Sequence, residues 1–198
     1  NGSKTDLSAG LFSEILSKLT ALGGLHKNGL TFNLELLKLV LDRMARESGV
    51  TVLFHTYITG LEKEDRYIRS ISTINKSGAG SIAADIFIDA TGDADIAAMA
   101  GCPFQLGREG DNLCQPMTLC FDIAGVDVDK VFSTNPQINE AYRKLQSEGK
   151  IQNPREDVLY MRHMYKDILH VNSTRIIRKC PIDAEDVSAA ESEAREQV

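Results

Sequence analysis

The sequence predicts a mixed α/β fold, and three observations lead to it. Two amphipathic helical stripes open the chain, the apolar period then shortens to that of strands, and the strand-like run Ile86–Ile88 passes through a glycine turn straight into an Ala-rich helical pattern. A buried strand that feeds a helix through such a turn is the unit on which nucleotides bind in α/β proteins.

The first stripe consists of Leu7, Leu11, Ile15, Leu19 and Leu22, with Phe12 and Leu16 beside it, and it ends at Gly23-Gly24. Asn33 is placed to cap a second helix that carries Leu34, Leu37, Leu41 and Met44 on one face, an Asp42 to Arg46 pair outside, and Gly49 as its stop. That helix delivers a strand, Val50–Phe54. The runs Tyr57–Leu61, Tyr67–Asn75 and Ser81–Ala84, broken by polar and glycine-containing turns, then predict a β-meander. Beyond Pro103, Met117–Ala124 reads as a strand and Asn135-Pro136 starts a helix that stops near Gly149. Val158–Ile177 is irregular with β-prone ends. Asp186–Val198 is a polar helical pattern whose start is charged by Asp183, Glu185 and Asp186.

At 198 residues, 42% of them hydrophobic, the chain is long enough for one core, or one core with a small satellite domain. The net charge of -6, with no Lys/Arg cluster, argues against a nucleic-acid partner. No apolar run approaches the ~20 residues needed to cross a bilayer, so no membrane partner is expected. Cys102, Cys114, Cys120 and Cys180 lack metal or disulfide-scaffold spacing and read as buried thiols of a reducing, cytoplasmic compartment. His26, His55 and His163 are scattered, and no metal site is expected. Asn1-Gly2-Ser3 reads as a cloning remnant, and the final helix has no stop signal, so the chain is expected to be a fragment.

The candidate chemistry lies in three places. In the turn Ala90-Thr91-Gly92-Asp93, Gly92 permits close backbone approach to a ligand, and Asp93 either caps the following helix or accepts from a sugar hydroxyl. The cluster His170-Val171-Asn172-Ser173-Thr174-Arg175 collects an imidazole, an amide, hydroxyls and a guanidinium. If it is extended, His170, Asn172 and Thr174 share one face and Arg175 takes the other; the alternative is a polar strand edge. Arg108, within Gly107-Arg108-Glu109-Gly110, either holds a carboxylate or belongs to a solvated turn. Cys102 is either redox-active or a small buried residue.

The segment Asp89-Ala90-Thr91-Gly92-Asp93, followed by Ala97-Ala98-Met99-Ala100-Gly101, resembles the second FAD-contacting motif of FAD-dependent oxidoreductases with a two-layer flavin domain. Asn33–Lys38, Gly49–Thr56, Gly107–Gly110, Gln115-Pro116-Met117-Thr118, His170–Arg175 and Ala190–Val198 are similar, in the same order, to the bacterial, xanthan-lyase-associated type of that family. The resemblance covers the chain from about Leu11 onward.

The resemblance implies a partial FAD-binding domain over residues 4–104, with parallel core strands and the meander covering one face, and part of a substrate or cap domain over residues 105–198. It implies that the backbone at Tyr57 and Ile58 meets the adenine, although strand packing also accounts for these two residues. Ala90, Thr91, Gly92 and Asp93 would border the ADP or ribityl part. It further implies a catalytic role for His170, Asn172 and Arg175, and a pocket entrance shaped by Arg108 and Gln115, with hydride passing between a small organic substrate and FAD.

One departure stands out: the G-x-G-x-x-G phosphate loop does not occur in these residues. Gly78-Ala79-Gly80 lacks the third glycine and is expected in a turn between meander strands. Most of the pyrophosphate grip is therefore missing, and the chain alone is expected to hold FAD weakly or not at all. The rival reading is a non-catalytic α/β ligand-binding or interaction module in which the Gly92 turn is only a connector.

Overall fold

The computed structural model describes residues 8–198, so Leu7 of the first stripe, Asn1-Gly2-Ser3 and the start of the expected flavin domain lie outside the described residues. In chain order the elements are α1 (Leu11–Ala21), α2 (Leu34–Glu47), β1 (Tyr57–Glu64), β2 (Tyr67–Asn75), β3 (Gly78–Ala83), α3 (Asp95–Met99), β4 (Phe121–Ala124), α4 (Val128–Ser133), α5 (Asn135–Ser147), β5 (Tyr160–Arg162), β6 (Ile168–Val171) and α6 (Ala184–Glu196). They make an α+β mix of helices and two antiparallel sheets. The chain divides into two compact units, one holding the chain up to Val50 together with Gln115–Val198, the other Thr51–Cys114.

In the first unit α1 and α2 pack on each other, and each buries one apolar residue, Leu19 and Val40. Gly24 makes that approach possible, since a Cβ there would stand 3.1 Å from both Leu19 and Leu36. Asn33 caps α2 as its sequence suggests, its side-chain oxygen accepting from Leu36 N–H at 3.0 Å. The expected Asp42–Arg46 pair is not among the ion pairs of the described residues. Lys18 instead joins Glu47 at 3.0 Å, tying α1 to α2.

The sheet order is β4-β6-β5. Phe121, Val171 and Tyr160 form one cross-strand row, and this face packs on Val128 and Val131 of α4. The expected strand Met117–Ala124 pairs regularly only over β4; upstream, Met117 bridges Ile176 and Thr174 holds Leu119 by its side chain. Ile176 is 1% exposed and packs with Ala190 and Ala194 of α6. That helix begins earlier than its polar pattern suggests, because Asp183 accepts from Asp186 N–H and caps it. Asp186 accepts from Cys180 N–H and Lys179, contacts that hold its carboxyl below the usual range. Asp183 is thus the cap, and Asp186 ties the preceding segment to the start of the helix.

In the second unit β1, β2 and β3 form the expected meander, and α3 packs on β1, with Lys63 donating to Ala100 C=O at 2.6 Å. Gly78 and Gly80 are strand residues of β3 rather than a loop. Gly80 faces Thr73, whose hydroxyl would lie 3.2 Å from an added Cβ, so close cross-strand approach explains that glycine.

The parallel core strands are the main difference from expectation. Val50–Phe54 and Ile86–Ile88 join no ladder among the described residues, and Phe54, Ile86 and Ile88 remain 64%, 79% and 84% exposed. The physical reason is that an extended apolar run becomes a strand only when another backbone meets its N–H and C=O groups. Among the described residues the two sheets, β1-β2-β3 and β4-β6-β5, pair only their own strands and take in neither run. Cys102 and Cys120 are likewise exposed rather than buried, each lying in the chain just outside a short element, after α3 and before β4 respectively.

Replacing Ile176 by Ala is expected to cost about 2–5 kcal/mol in urea unfolding, whereas Ile123→Ala, on the exposed part of β4, is expected to change stability by less than about 1 kcal/mol. Equal effects would show that the cluster around α6 is not a core.

Candidate functional site

The turn after Ile88 is built by a residue that motif reading passes over. Asp89 Oδ1 accepts from Thr91 N–H at 3.0 Å and from the Thr91 hydroxyl at 2.7 Å, while Oδ2 accepts from Ala97 N–H at 2.9 Å. The Thr91 oxygen in turn accepts from Asp95 N–H at 2.8 Å. These contacts, the Thr91 hydroxyl first, hold the Asp89 carboxyl below the ordinary carboxylate range. The signal was available: an Asp two residues before a Thr at the end of an apolar run is a local side-chain clamp.

The clamp corrects two expectations. Asp93 does not cap α3; the N-cap position is Ala94, in the left-handed conformation at φ 56°, and the capping bonds come from Asp89 and Thr91. The amides of Asp95 and Ala97 are consequently spent inside the turn rather than offered to an anion. Gly92 and Asp93 are left outside the clamp and exposed, and nothing lies within 4 Å of a Cβ added at Gly92. In the same unit Tyr57 is exposed and Ile58 half-buried at the start of β1.

The second place is a cleft in the first unit, of about 590 Å³, between the Asn28–Leu34 segment and the β4-β6-β5 sheet. Asp122, His170 and Met161 form the cross-strand row next to the core-facing one, and all three line the cleft. His170 Nδ1 lies 2.8 Å from Asp122 Oδ1, a bond that fixes the ring and leaves Nε2 for a ligand. Asp122 was not picked out from sequence, although it is the one charged residue in the apolar run Met117–Ala124.

The other predicted substrate-side residues do not join it. Asn172 and Arg175 do not line the cleft; β6 ends at Val171, and with it the alternation that would set Asn172 beside His170. The Asn172 backbone N–H donates to Leu159 C=O, and the Arg175 backbone is held by the Gln197 side chain. Ser173 bonds Leu159 and Thr174 bonds Leu119, each at N–H and C=O, so Thr174, 1% exposed, braces the strand end instead of facing a substrate. Arg108 makes a two-pronged pair with Asp111 at 2.8 and 2.6 Å, which pulls the Asp111 carboxyl down to about 2. That guanidinium belongs to its own turn. Gln115 is exposed and outside the cleft lining.

Among the described residues no group of three or more His, Cys, Asp or Glu side chains is arranged to hold a metal ion, and no helix is long and apolar enough to cross a membrane. A shallow polar hollow near Lys150, Asn153 and Glu193 carries no comparable pairing of groups.

A family model described as FAD dependent oxidoreductase matches residues 1–198. The chain belongs to that family. No curated protein and no solved structure matches it. The family's cofactor fits these residues in part: Gly92 leaves an open backbone face beside a rigid turn, but the G-x-G-x-x-G loop that would grip the pyrophosphate is not in the sequence.

Asp89→Ala is expected to speed amide exchange at Ala97 and Asp95, while Asp93→Ala leaves both unchanged. Because the folded-state pKa of Asp89 is depressed, its contribution is full above the unfolded value of about 3.9 and fades as the pH falls through the lower folded one. The Ala97 amide resonance should therefore hold steady near neutral pH and move only below about pH 4. Movement near neutrality would contradict the clamp.

Proposed function

We propose that the chain is part of an enzyme that transfers hydride between a small organic substrate and FAD. Residues 4–104 then belong to the flavin domain and residues 105–198 to a substrate or cap domain. The observation that carries the reading is the Asp89–Thr91 clamp, which holds Gly92 and Asp93 outward in a chain matched end to end by an FAD dependent oxidoreductase family. On this reading Tyr57 and Ile58 meet the adenine by their backbone, and Ala90, Thr91, Gly92 and Asp93 border the ADP or ribityl part.

When bound, the flavin supplies the group that accepts or gives hydride. The chain's own part is proton handling and orientation. His170 Nε2 takes the proton of a substrate hydroxyl as the neighbouring C–H bond is lost and a carbonyl forms; in the reverse direction it returns that proton. Asp122 keeps the imidazole in one tautomer and balances the charge it gains. Among the four substrate-side residues other than His170, Arg108 is committed to Asp111, so a carboxylate clamp at that position is not part of the proposal.

Visible absorbance tests this directly. The full-length enzyme is expected to show flavin bands and the purified 198-residue chain only substoichiometric flavin. A full-length protein that stays colourless after reconstitution with FAD would sink the reading, and stoichiometric flavin on this chain would overturn the half-site account. In the full-length enzyme Asp93→Ala should weaken FAD retention with an unchanged unfolding midpoint, since Asp93 caps no helix here.

A further inference from the structure

We propose that the cleft over the β4-β6-β5 sheet binds a neutral, mainly apolar molecule carrying one hydrogen-bonding oxygen, received at His170. This names the substrate class for the site suggested above and rests on the reading that His170 faces the substrate, but it requires no bound flavin. A volume of about 590 Å³ is within the range of small-molecule sites.

The walls are apolar from both sides. Leu30, Phe32 and Leu34 stand on one, with Leu30 80% and Leu34 57% exposed; Phe132 and Met161 stand on the other. Large apolar side chains left in water around one concavity mark a place where an apolar surface is received.

The polar groups are few, and most are already engaged. Tyr160 donates its hydroxyl to Asn135 at 2.6 Å. The Asn28 side chain is used by Leu30 N–H, Thr31 N–H and the Thr31 hydroxyl. Arg162 is the only cation in the lining other than a histidine, and it is bound to Asp129 at 2.8 Å with its guanidinium over the Phe132 ring. No uncommitted Lys or Arg is left in the lining to hold a carboxylate or a phosphate, and the Asp122 carboxylate disfavours a second negative charge there.

Two imidazole nitrogens remain. His170 Nδ1 is turned to Asp122, and His163 Nδ1 accepts from Tyr165 N–H at 3.3 Å, which leaves the Nε2 atom of each. Such a lining suits a ring or branched apolar body with one hydroxyl or carbonyl, and it rejects an anion of the same shape.

Matched probes test it: 1-naphthalenemethanol and 1-naphthoate, titrated into the full chain and followed by the His170 ring and Met161 methyl resonances. The alcohol is expected to give saturable shifts at both residues, with naphthoate weaker by at least about tenfold, roughly 1.4 kcal/mol. Leu30→Glu should abolish the alcohol's binding while leaving the urea midpoint unchanged, because the native side chain is exposed. Naphthoate binding as tightly as the alcohol, no saturable shift with either probe, or binding indifferent to Leu30→Glu would each overturn the proposal. If the alcohol binds here but a flavin-loaded full-length enzyme oxidises no hydroxyl compound, the hydride-transfer reading fails and the cleft stands. If that enzyme turns over substrate while the cleft binds neither probe, the cleft assignment alone fails.

Discussion

The first unit depends on a pair of buried hydroxyls. Ser173 and Thr174 each give one hydrogen bond to a backbone carbonyl and take one from the same residue's amide, Leu159 on one side and Leu119 on the other. The two side chains thus replace a stretch of ladder where β6 has ended. Losing Thr174 would leave the part-buried N–H and C=O of Leu119 without these partners, at up to about 1–3 kcal/mol each, whereas losing Ser173 would free only the Leu159 N–H, since the Leu159 C=O also accepts from Asn172 N–H. Because these bonds fix where β6 stops and what flanks it, they also fix the register that sets His170 opposite Asp122 and Met161.

The second unit solves a similar problem with a carboxylate. Ile86–Ile88 finds no partner strand, yet the turn that follows is ordered because Asp89 and Thr91 satisfy the first amides of α3. A ligand at this turn would therefore meet the exposed backbone around Gly92 rather than a free helix terminus. The positive φ of Ala94 fits the same account: a non-glycine residue stays left-handed only where its surroundings hold it there.

Much of the local structure was legible in the sequence. The Asn33 cap, the meander and the helix from Asn135 follow from capping chemistry, strand period and proline preference. The turn at Gly92 and the imidazole at His170 were also legible as types. What was not legible depended on pairing. Val50–Phe54 has a strand's composition, but composition does not supply the partner that makes a strand. Alternation sets Asn172 and Thr174 on the face of His170 only while the strand continues, and it stops at Val171; Arg175 enters through the resemblance alone, and of the two readings of Arg108 the pair with Asp111 favours the turn. Asp89 and Asp122 were missed for the converse reason: each sits in an apolar run, where a lone carboxylate is costly unless something receives it.

The proposal that this imidazole moves the proton accompanying hydride transfer draws on family membership and on the His170–Asp122 pair. The most direct test is the rate at which flavin absorbance bleaches when the FAD-loaded full-length enzyme meets a hydroxyl-bearing substrate, compared between wild type and Asp122→Asn across pH. The account predicts a slower reduction and a displaced pH profile for Asp122→Asn, with flavin content unchanged. An identical rate and profile in the two proteins would contradict it.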